Sequence, residues 1–449
     1  MEAPRLNVSP VFNVKRPVLM TSLLLSVAFC LSACSQPLAS KPENRATALA
    51  ESPAQQTPGS VTIFGQFPPE EQEKFEQTIL PFEEETGIDV VLEFENNFNS
   101  LLSMRIASFN KPDLAILPQP GLMADLAADG QLIPITEAVD IHALRAAYSD
   151  TWLDLGETNG EIYGLWNRVS VKSLVWYRPT AFEEKSYDIP RTWPELMALS
   201  DRIVADGGTP WCIGLESGAA TGWPGTDWIE DILLRTAGPE TYRQWISHQI
   251  SFDSPPVLAA FESFGELINK PGYVDGGSEK VLKTGYAESV LGIFNNPPSC
   301  YLHRQGNFIA NFFPEGKAPR IDYDVFLLPP IDEKFGTPLL IAGETIVMFN
   351  HTPESAALMQ YLATPTPHKI WAGLGGFISP QKDVPLEAYP DAVTQTIAQI
   401  LADADVVRFD GSDLMPGYVG SNLFWQGMVD FVGGRSAAEV TTEIDKGWP

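Results

Sequence analysis

The chain has 449 residues and carries 57 acidic against 29 basic side chains, which gives a formal net charge of −28 at pH 7. A protein this acidic, with no local stripe of basic residues, is not expected to bind nucleic acid. The length and the 44% hydrophobic content suit two domains or one large bilobal unit. The expected ligand is neutral, or is held by local contacts.

Residues 1–33 have the pattern of an export signal. Three basic residues precede an apolar run at 17–31, which is shorter than the roughly 20 apolar residues that a permanent membrane span needs. The run ends in Leu31-Ser32-Ala33-Cys34, which resembles a bacterial lipobox and implies cleavage before Cys34 and attachment of lipid to its sulfur. The alternative is an ordinary signal peptide with a coincidental cysteine. Residues 34–59 are rich in Ser, Pro, Ala, Gln and Thr without an apolar period, which predicts a flexible tether.

The folded part begins with alternating strands and helices. The patterns predict strands at 61–64, 88–94 and 113–117, with helices between them at 70–85 and 101–109. This alternation is typical of an open α/β sheet with parallel neighbours. Because ligands bind such sheets beyond the carboxyl ends of the strands, the residues that follow the three strands, Gln66, Asn96 and Gln119, are candidate binding residues.

A second α/β region follows along the chain. Its predicted elements are a strand at 170–177, a helix at 192–204, mostly helical structure over 226–269, strands at 289–294, 323–328 and 341–349, and a helix that ends at 362. Thr192 and Glu195 have the spacing of a capping box at the start of the first of these helices. Both regions therefore belong to the α/β class.

The cysteines predict one disulfide. Cys30 would leave with the signal and Cys34 would carry lipid, so Cys212 and Cys300 remain. In an oxidising compartment such an even pair favours a bridge. Closing a loop of this length would stabilise the fold by about 4–5 kcal/mol; the alternative is two buried free thiols.

Eight short motifs occur along residues 60–449. The more general ones are Phe82-Glu-Glu-Glu-Thr-Gly-Ile88, Pro112-Asp-Leu-Ala-Ile116, Ser173-Leu-Val-Trp-Tyr177 and Thr192-Trp-Pro-Glu195. The sharper ones are Gly222-Trp-Pro-Gly-Thr-Asp-Trp-Ile-Glu-Asp231, Pro298-Ser-Cys-Tyr-Leu-His-Arg-Gln305, Arg408-Phe-Asp-Gly-Ser-Asp-Leu-Met-Pro416 and Phe424-Trp-Gln-Gly-Met428. In this order the chain resembles bacterial ABC-transporter solute-binding proteins of the maltose-binding type, and in particular their α-glucoside-binding subgroup.

The resemblance implies a bilobal periplasmic-binding-protein fold of the α/β class, in which the chain crosses three times between two lobes and a sugar lies in the cleft. It places the first lobe at 60–169 plus 325–363 and the second lobe at 170–324 plus 364–449. It also implies a lipoprotein that binds an α-glucoside (maltose, sucrose, trehalose or glucosylglycerol) and delivers it to the transmembrane subunits of an ABC permease. The expected location is extracytoplasmic with a membrane anchor on Cys34, and the expected state is a monomer without a cofactor.

Aromatic side chains are the first candidates for contact with a sugar, because rings stack on its apolar C–H faces. The resemblance places a sugar-stacking tryptophan at Trp425, and the alternative is a core aromatic. Trp223 lies in a Gly-rich loop that predicts a cleft wall, and Trp228 lies where a helix opens. Asp227 beside it is either a ligand contact or a helix N-cap with Glu230 at capping-box spacing.

Carboxylates and amides supply the other candidates, because a buried polar group left unpaired costs about 1–3 kcal/mol and so enforces specificity. Asp410 and Asp413 either contact sugar hydroxyls or form an Asx-turn pair. Glu344 lies in an apolar stretch, where a charge predicts a cleft contact or a salt bridge. Gly376 either lets the backbone approach a ligand or makes a simple turn. The remaining candidates are Gln66, Asn96, Gln119, Lys172 and Gln305.

Motifs for catalysis and for metal binding are missing from the sequence. The five histidines have no H-x-x-x-H or H-E-x-x-H spacing, and neither G-x-S-x-G nor G-x-x-x-x-G-K occurs. The expectation is a binding protein that is not an enzyme and holds no metal. Two alternatives stay open: a secreted enzyme that acts on glycosides, with Asp410 and Asp413 as its paired acids, and a sugar-sensing lipoprotein of the same fold.

Overall fold

The computed structural model describes residues 59–449, so the predicted signal, the predicted lipid site at Cys34 and the predicted tether up to residue 58 lie outside the described residues. The strands are β1 (Ser60–Gly65), β2 (Asp89–Phe94), β3 (Leu114–Leu117), β4 (Glu157–Thr158), β5 (Glu161–Ile162), β6 (Leu165–Val171), β7 (Leu174–Tyr177), β8 (Leu302–Arg304), β9 (Asp324–Leu327), β10 (Leu339–Met348) and β11 (Val407–Phe409).

The α-helices are α1 (Pro69–Thr86), α2 (Phe98–Ala107), α3 (Pro120–Ala128), α4 (Ile141–Ala147), α5 (Asp150–Leu155), α6 (Pro179–Lys185), α7 (Trp193–Ala205), α8 (Trp223–Thr236), α9 (Gly238–Ile246), α10 (Pro255–Asn269), α11 (Gly277–Val281), α12 (Tyr286–Ser289), α13 (Pro353–Leu362), α14 (Pro365–Leu374), α15 (Ala392–Ala402), α16 (Gly411–Leu414), α17 (Trp425–Val432) and α18 (Ala437–Lys446). Short 3₁₀ helices lie at Ile135–Glu137, Gly218–Ala220, Val290–Phe294, Asn307–Phe312, Glu333–Phe335 and Leu386–Ala388, and a π-helical segment lies at Val419–Phe424.

Local sequence signals set several of these elements. The Oγ1 of Thr192 accepts the backbone N–H of Glu195 at 3.3 Å and caps α7 as predicted. The apolar run predicted as a strand at 289–294 is helical instead, because its buried residues Val290 and Ile293 are three apart and so share one helical face. The run at 170–177, predicted as one strand, is divided between β6 and β7, which belong to different sheets.

The described chain forms two α/β lobes, each built around its own sheet. In the first sheet the strand order is β11-β10-β3-β1-β2, with β6 also paired to β10. There β1 runs parallel to β2 and β3, and β10 runs antiparallel to β3 and β6. The second sheet is antiparallel with the order β8-β7-β9. The chain therefore crosses between the lobes after β6, between β9 and β10, and after β11.

Two segments depart from the predicted limits of the lobes. The strand β9 pairs within the second sheet, although 325 was expected to open a first-lobe segment. The strand β11 pairs with β10 in the first sheet, and Trp371 of α14 packs on Phe67 and Phe75 of the first lobe with ring centroids 5.5 and 5.6 Å apart. Assigning all of 364–449 to the second lobe was therefore wrong, because sheet pairing and aromatic packing hold 365–409 on the first.

The core of the second lobe is formed mainly by helices, and this lobe contains the predicted disulfide. Its core includes Trp211, Trp228 and Trp245. Cys212 and Cys300 are bonded, with their Cα atoms 5.4 Å apart, so the alternative of two free thiols is wrong. Within residues 59–449 no helix combines the length and the apolar character that a membrane span requires.

Candidate functional site

A cavity of ≈ 560 Å³ lies between the two lobes, within the usual range for small-molecule sites of about 300–1,000 Å³. Its first-lobe wall follows the carboxyl ends of β1, β2 and β3, and its floor is formed by β6, β10 and the segment after β11. Loops of the second lobe close the opposite wall. Nine of the predicted binding residues line it: Gln66, Asn96, Gln119, Lys172, Trp223, Glu344, Asp410, Asp413 and Trp425.

Neutral amides form the first-lobe wall. Gln66, Asn96 and Gln119 stand after consecutive parallel strands as predicted, and Asn97 joins them. The helices α1, α2 and α3 begin at this wall, so their partly positive N-terminal ends face the cavity. Gln119 is buried, and its Oε1 has no hydrogen-bond partner among residues 59–449.

Arg168 forms the centre of one charged cluster on the floor. Its Nε and Nη2 donate to the carboxylate of Glu344 at 2.5 and 2.8 Å, and Nη2 lies 2.7 Å from Glu71. The guanidinium also lies 5.0 Å from the ring centroid of Phe67 and 5.5 Å from that of Trp371. Burial alone would lower the pKa of Arg168, but the two carboxylates raise it. Glu344 therefore forms the predicted salt bridge and lines the cavity, while its contact with a ligand stays a prediction.

Lys172 forms the centre of a second cluster. Its Nζ donates to Asp227 at 2.8 Å and to Asp410 at 2.5 Å, and lies 4.9 Å from the ring centroid of Trp223. Burial raises the pKa of Asp227 to about 7 even though Lys172 acts against it. In the opposite direction, the two aspartates hold the pKa of Lys172 above its ordinary value despite burial.

Asp410 and Asp413 belong to a short helix that a buried glutamate holds in place. The carboxylate of Asp410 accepts the N–H of Asp413 at 3.2 Å and the hydroxyl of Ser412 at 2.7 Å, so it caps α16. Glu230 accepts the backbone N–H groups of Gly411 and Ser412 at 2.6 and 3.1 Å. Burial and the charge of Asp410 raise the pKa of Asp413 well above its ordinary value. Asp410 thus fixes the local turn of the chain, and both aspartates line the cavity, while their contact with sugar hydroxyls stays a prediction.

Aromatic side chains cover the second-lobe wall. The ring of Trp223 lies 5.2 Å from that of Tyr286 and 5.9 Å from that of Phe308. Trp425 is 8% exposed, and its indole N–H finds no acceptor in the described part of the chain. Gly222 has a φ of +115°, and a Cβ there would lie 2.1 Å from the backbone oxygen of Trp425. Glycine at this position therefore permits the approach of the two tryptophan-bearing segments.

Two predicted binding residues on α8 lie beneath the cavity. The helix begins at Trp223, so Asp227 is inside it and is not the predicted N-cap. It is fully buried and reaches the cavity only through Lys172. Trp228 packs on Trp211 and Phe264, with centroids 5.3 and 5.6 Å apart, and is a core aromatic. The sequence could not tell which face of α8 is turned inward.

Two further candidates also lie off the cavity. Gln305 is buried, and its Oε1 accepts the backbone N–H of Gly306 at 2.9 Å. Gly376 has a φ of +72° and faces Asn311, whose Oδ1 would lie 2.0 Å from a Cβ at this position. Its close approach is to a protein side chain and not to the cavity.

Several cavity residues escaped the sequence analysis. Arg168 could have been found by the argument used for Glu344, because it is a charge within the apolar run 165–171. Glu71 looked like an ordinary acidic residue in the first turn of a helix. The other missed residues are brought in by tertiary structure alone: Pro68, Asn97, Ile116, Pro118, Ser170, Glu216, Ser217, Gly218, Ala219, Ala220, Gly285, Tyr286, Ala287, Glu288, Phe308, Ala342, Gly343 and Ser412.

Comparison with known proteins agrees with this architecture. Residues 65–368 match the family described as bacterial extracellular solute-binding protein. The osmoprotective compounds-binding protein GgtB of Synechocystis is 47% identical over 430 residues, which are 96% of this chain and 99% of that protein. The alpha-glucosides-binding periplasmic protein AglE of Rhizobium meliloti is 42% identical over 397 residues, 87% of each chain.

A solved structure extends the comparison to the fold. The bacterial solute receptor AcbH, described as preferring β-D-galactopyranose, is 18% identical with a TM-score of 0.76, and the match covers 86% of this chain and 98% of that one. The bilobal fold expected from the sequence is thereby confirmed. The chain belongs to the family of bacterial extracellular solute-binding proteins.

Proposed function

We propose that this protein captures an α-glucoside in the cleft between its lobes and presents it to an ABC permease. A solute-binding protein of this family acts outside the cytoplasm, and it binds its solute rather than transforming it. The chain is accordingly a binding protein and not an enzyme. The family assignment therefore excludes the alternative of an enzyme that acts on glycosides.

The observation that carries the proposal is the pairing of aromatic rings with unpartnered polar atoms in one cavity. Within the described chain, Arg168 Nη1, Gln119 Oε1 and Trp425 Nε1 are buried without a hydrogen-bond partner, and all three residues line the cavity. Buried polar groups are normally paired. A sugar supplies hydroxyls that both donate and accept, together with C–H faces that stack on rings such as those of Trp223 and Trp425.

The choice of an α-glucoside rests on the two curated relatives. They are 47% and 42% identical over most of the chain and are named for osmoprotective compounds and for alpha-glucosides. The candidates are maltose, sucrose, trehalose and glucosylglycerol. We further propose that the protein is a monomer, held to the membrane by lipid on Cys34, and that the transmembrane subunits of the permease are its partners.

The test is calorimetric titration of the purified protein with each of the four candidate sugars. We expect at least one to bind, and to stabilise the protein by about 2.7 kcal/mol at 100 times its dissociation constant. Trp425→Ala should weaken binding at least tenfold, about 1.4 kcal/mol, because it removes a central ring and an indole donor. Trp448→Ala is the matched control, because Trp448 stacks on His248 outside the cavity. The proposal fails if none of the four sugars binds, or if the two variants bind equally well.

A separate experiment addresses the partner. Detergent extracts of the native membrane, captured on the tagged protein loaded with its sugar, should contain permease subunits. Sugar binding without any association with a permease would favour the alternative of a sugar-sensing lipoprotein.

A further inference from the structure

The charges of the cleft are distributed unevenly among its walls. Two cations line the cavity at its floor: Arg168 lies on β6, and Lys172 follows directly after the last residue of that strand. Six carboxylates line it, and the first-lobe wall supplies neutral amides. An anionic ligand would therefore have to find its counter-charge on the floor.

Neither cation on the floor is available to a ligand as a net positive charge. Arg168 is shared by Glu71 and Glu344 at 2.7 and 2.5 Å. Lys172 is shared by Asp227 and Asp410 at 2.8 and 2.5 Å. Arg168 with its two carboxylates carries a formal negative charge. Lys172 with its two carboxylates, one of which also lies 3.4 Å from Arg304, presents no net positive charge. An anion brought to the floor would meet the negative charge around Arg168 at low local dielectric, where repulsion is strongest.

Two carboxylates on the second-lobe rim have no cation beside them. Glu216 and Glu288 line the cavity, are exposed, and form no ion pair with any residue from 59 to 449. They flank Gly285 together, since a Cβ at this position would lie 3.7 Å from Glu216 Oε2 and 3.6 Å from Glu288 Cδ. Backbone hydrogen bonds hold the two segments in place, because Glu216 accepts from the N–H of Tyr286 at 3.0 Å and donates to Thr284 at 3.1 Å.

The helix ends that face the cleft do not reverse this balance. The helices α1, α2, α3 and α8 begin at the cavity, and each N-terminus is equivalent to roughly half a positive charge. Four such ends offset about two charges, whereas carboxylates outnumber cations by six to two. Burial and the charge of Asp410 raise the pKa of Asp413, the remaining acid of the lining, and so favour its neutral form. The excess negative charge is therefore concentrated on the rim.

We propose that the cleft selects uncharged glucosides and rejects their anionic derivatives, and that Glu216 and Glu288 are specificity residues for this selection. The inference rests on the proposed function and deepens it. Sugar uronates and sugar phosphates meet repulsion at the rim and find no free cation at the floor. Neutral polyols can hydrogen-bond the amides and the paired charged groups and can stack on the rings, and they carry no charge that the carboxylates would repel.

The test uses ligand pairs that differ in charge and not in shape. For each of the four candidate sugars that binds, the 6-uronate of its glucosyl unit is compared with the corresponding 6-uronamide, with the parent sugar as reference. At low ionic strength we expect each uronate to bind at least about tenfold more weakly than its uronamide, because like charges brought together oppose binding. Raising the salt concentration to about 0.5 M should reduce the ratio of the uronate to the uronamide dissociation constant, because exposed charges are screened.

The variant Glu216→Gln/Glu288→Gln should reduce the uronate-to-uronamide ratio of dissociation constants by at least about threefold. The matched control is Glu262→Gln/Glu266→Gln, which removes two exposed charges from α10 outside the cavity and should leave the ratio unchanged. Circular dichroism checks that all variants are folded.

The outcomes separate the two proposals. If none of maltose, sucrose, trehalose and glucosylglycerol binds, α-glucoside capture itself is overturned, and this inference with it. If the neutral ligands bind and the uronates bind equally well, charge selection is wrong while the proposed function stands. If the ratio is large but the same in both double variants, the selection does not come from the rim carboxylates.

Discussion

Replacing Lys172 by methionine should destabilise the protein through the two carboxylates that it leaves behind. The ammonium group is shared by Asp227 and Asp410, and all three side chains are at most 6% exposed. Breaking a buried ion pair from one side costs about 3–5 kcal/mol. Arg304 remains 3.4 Å from Asp227, and Asp410 keeps its capping hydrogen bonds, so the lower part of this range, about 3 kcal/mol, is expected.

The loss would be measured as the difference in free energy of unfolding, from urea titrations followed by tryptophan fluorescence. Lys270→Met is the matched control, because Lys270 pairs with Asp201 at 2.6 Å on the surface. Screening by solvent makes exposed pairs weak, so this variant should lose much less stability. Equal slopes of the transitions would confirm that stability itself has changed.

The pH dependence gives the prediction a second readout. The pKa of Asp227 is raised to about 7 by burial, with Lys172 acting against that rise, so removing Lys172 raises the pKa further. Because this folded-state pKa lies above the ordinary value of 3.8, protonation favours the folded state and the cost is relieved as the pH falls. The deficit of Lys172→Met should therefore be smaller at pH 6 than at pH 8, and Lys172→Met/Asp227→Asn should recover part of it. A variant as stable as the wild type at pH 8, or a deficit that grows towards acid, would refute the reasoning.

Three other changes test separate parts of the fold. Cys212→Ser/Cys300→Ser should lower the free energy of unfolding by about 4–5 kcal/mol, since the bridge spans 88 residues; a calorimetric melting temperature equal to that of the wild type would contradict this. Gly376→Ala should lose about 1–3 kcal/mol, because a Cβ would collide with Asn311 at a positive φ; Gly373→Ala, where a Cβ meets nothing closer than 3.8 Å, is its control in the same urea assay. Arg168→Met should weaken sugar binding at least tenfold. Arg168→Lys keeps the charge but should recover only part of the affinity, because it loses the bidentate geometry of the guanidinium group. Titrations in which the Lys variant binds sugar as tightly as the wild type would show that the bidentate geometry is not needed.

Periodicity and turn chemistry were sufficient to predict the first three strands of the first lobe and the residues that follow them. The runs that became β1, β2 and β3 are short and apolar, and each is followed by a polar residue that lines the cavity. The sheet edge alone brings Gln66, Asn96 and Gln119 together. Their position at the cavity is observed in the structure, whereas their function in binding stays a prediction.

Tertiary structure explains what sequence reasoning could not reach. Trp223 and Trp228 are both tryptophans of one helix, and only the packing of α8 decides that the first faces the cavity and the second faces Phe264. Glu216 and Glu288 are far apart in sequence and meet through backbone hydrogen bonds across Gly285. The third crossing between lobes was misplaced because β11, of three residues, is too short to carry a pattern of its own.

The position of Lys172 has a consequence for how the two halves of the molecule move. It stands between β6 and β7, on the first passage of the chain from one lobe to the other, and its partner Asp410 stands just after β11, on the last. One buried ammonium group thus joins two of the three segments that connect the lobes. An opening of the two lobes that keeps this ion pair intact has to rotate about it. The hinge of such a motion and the floor of the cavity would therefore be made of the same side chains.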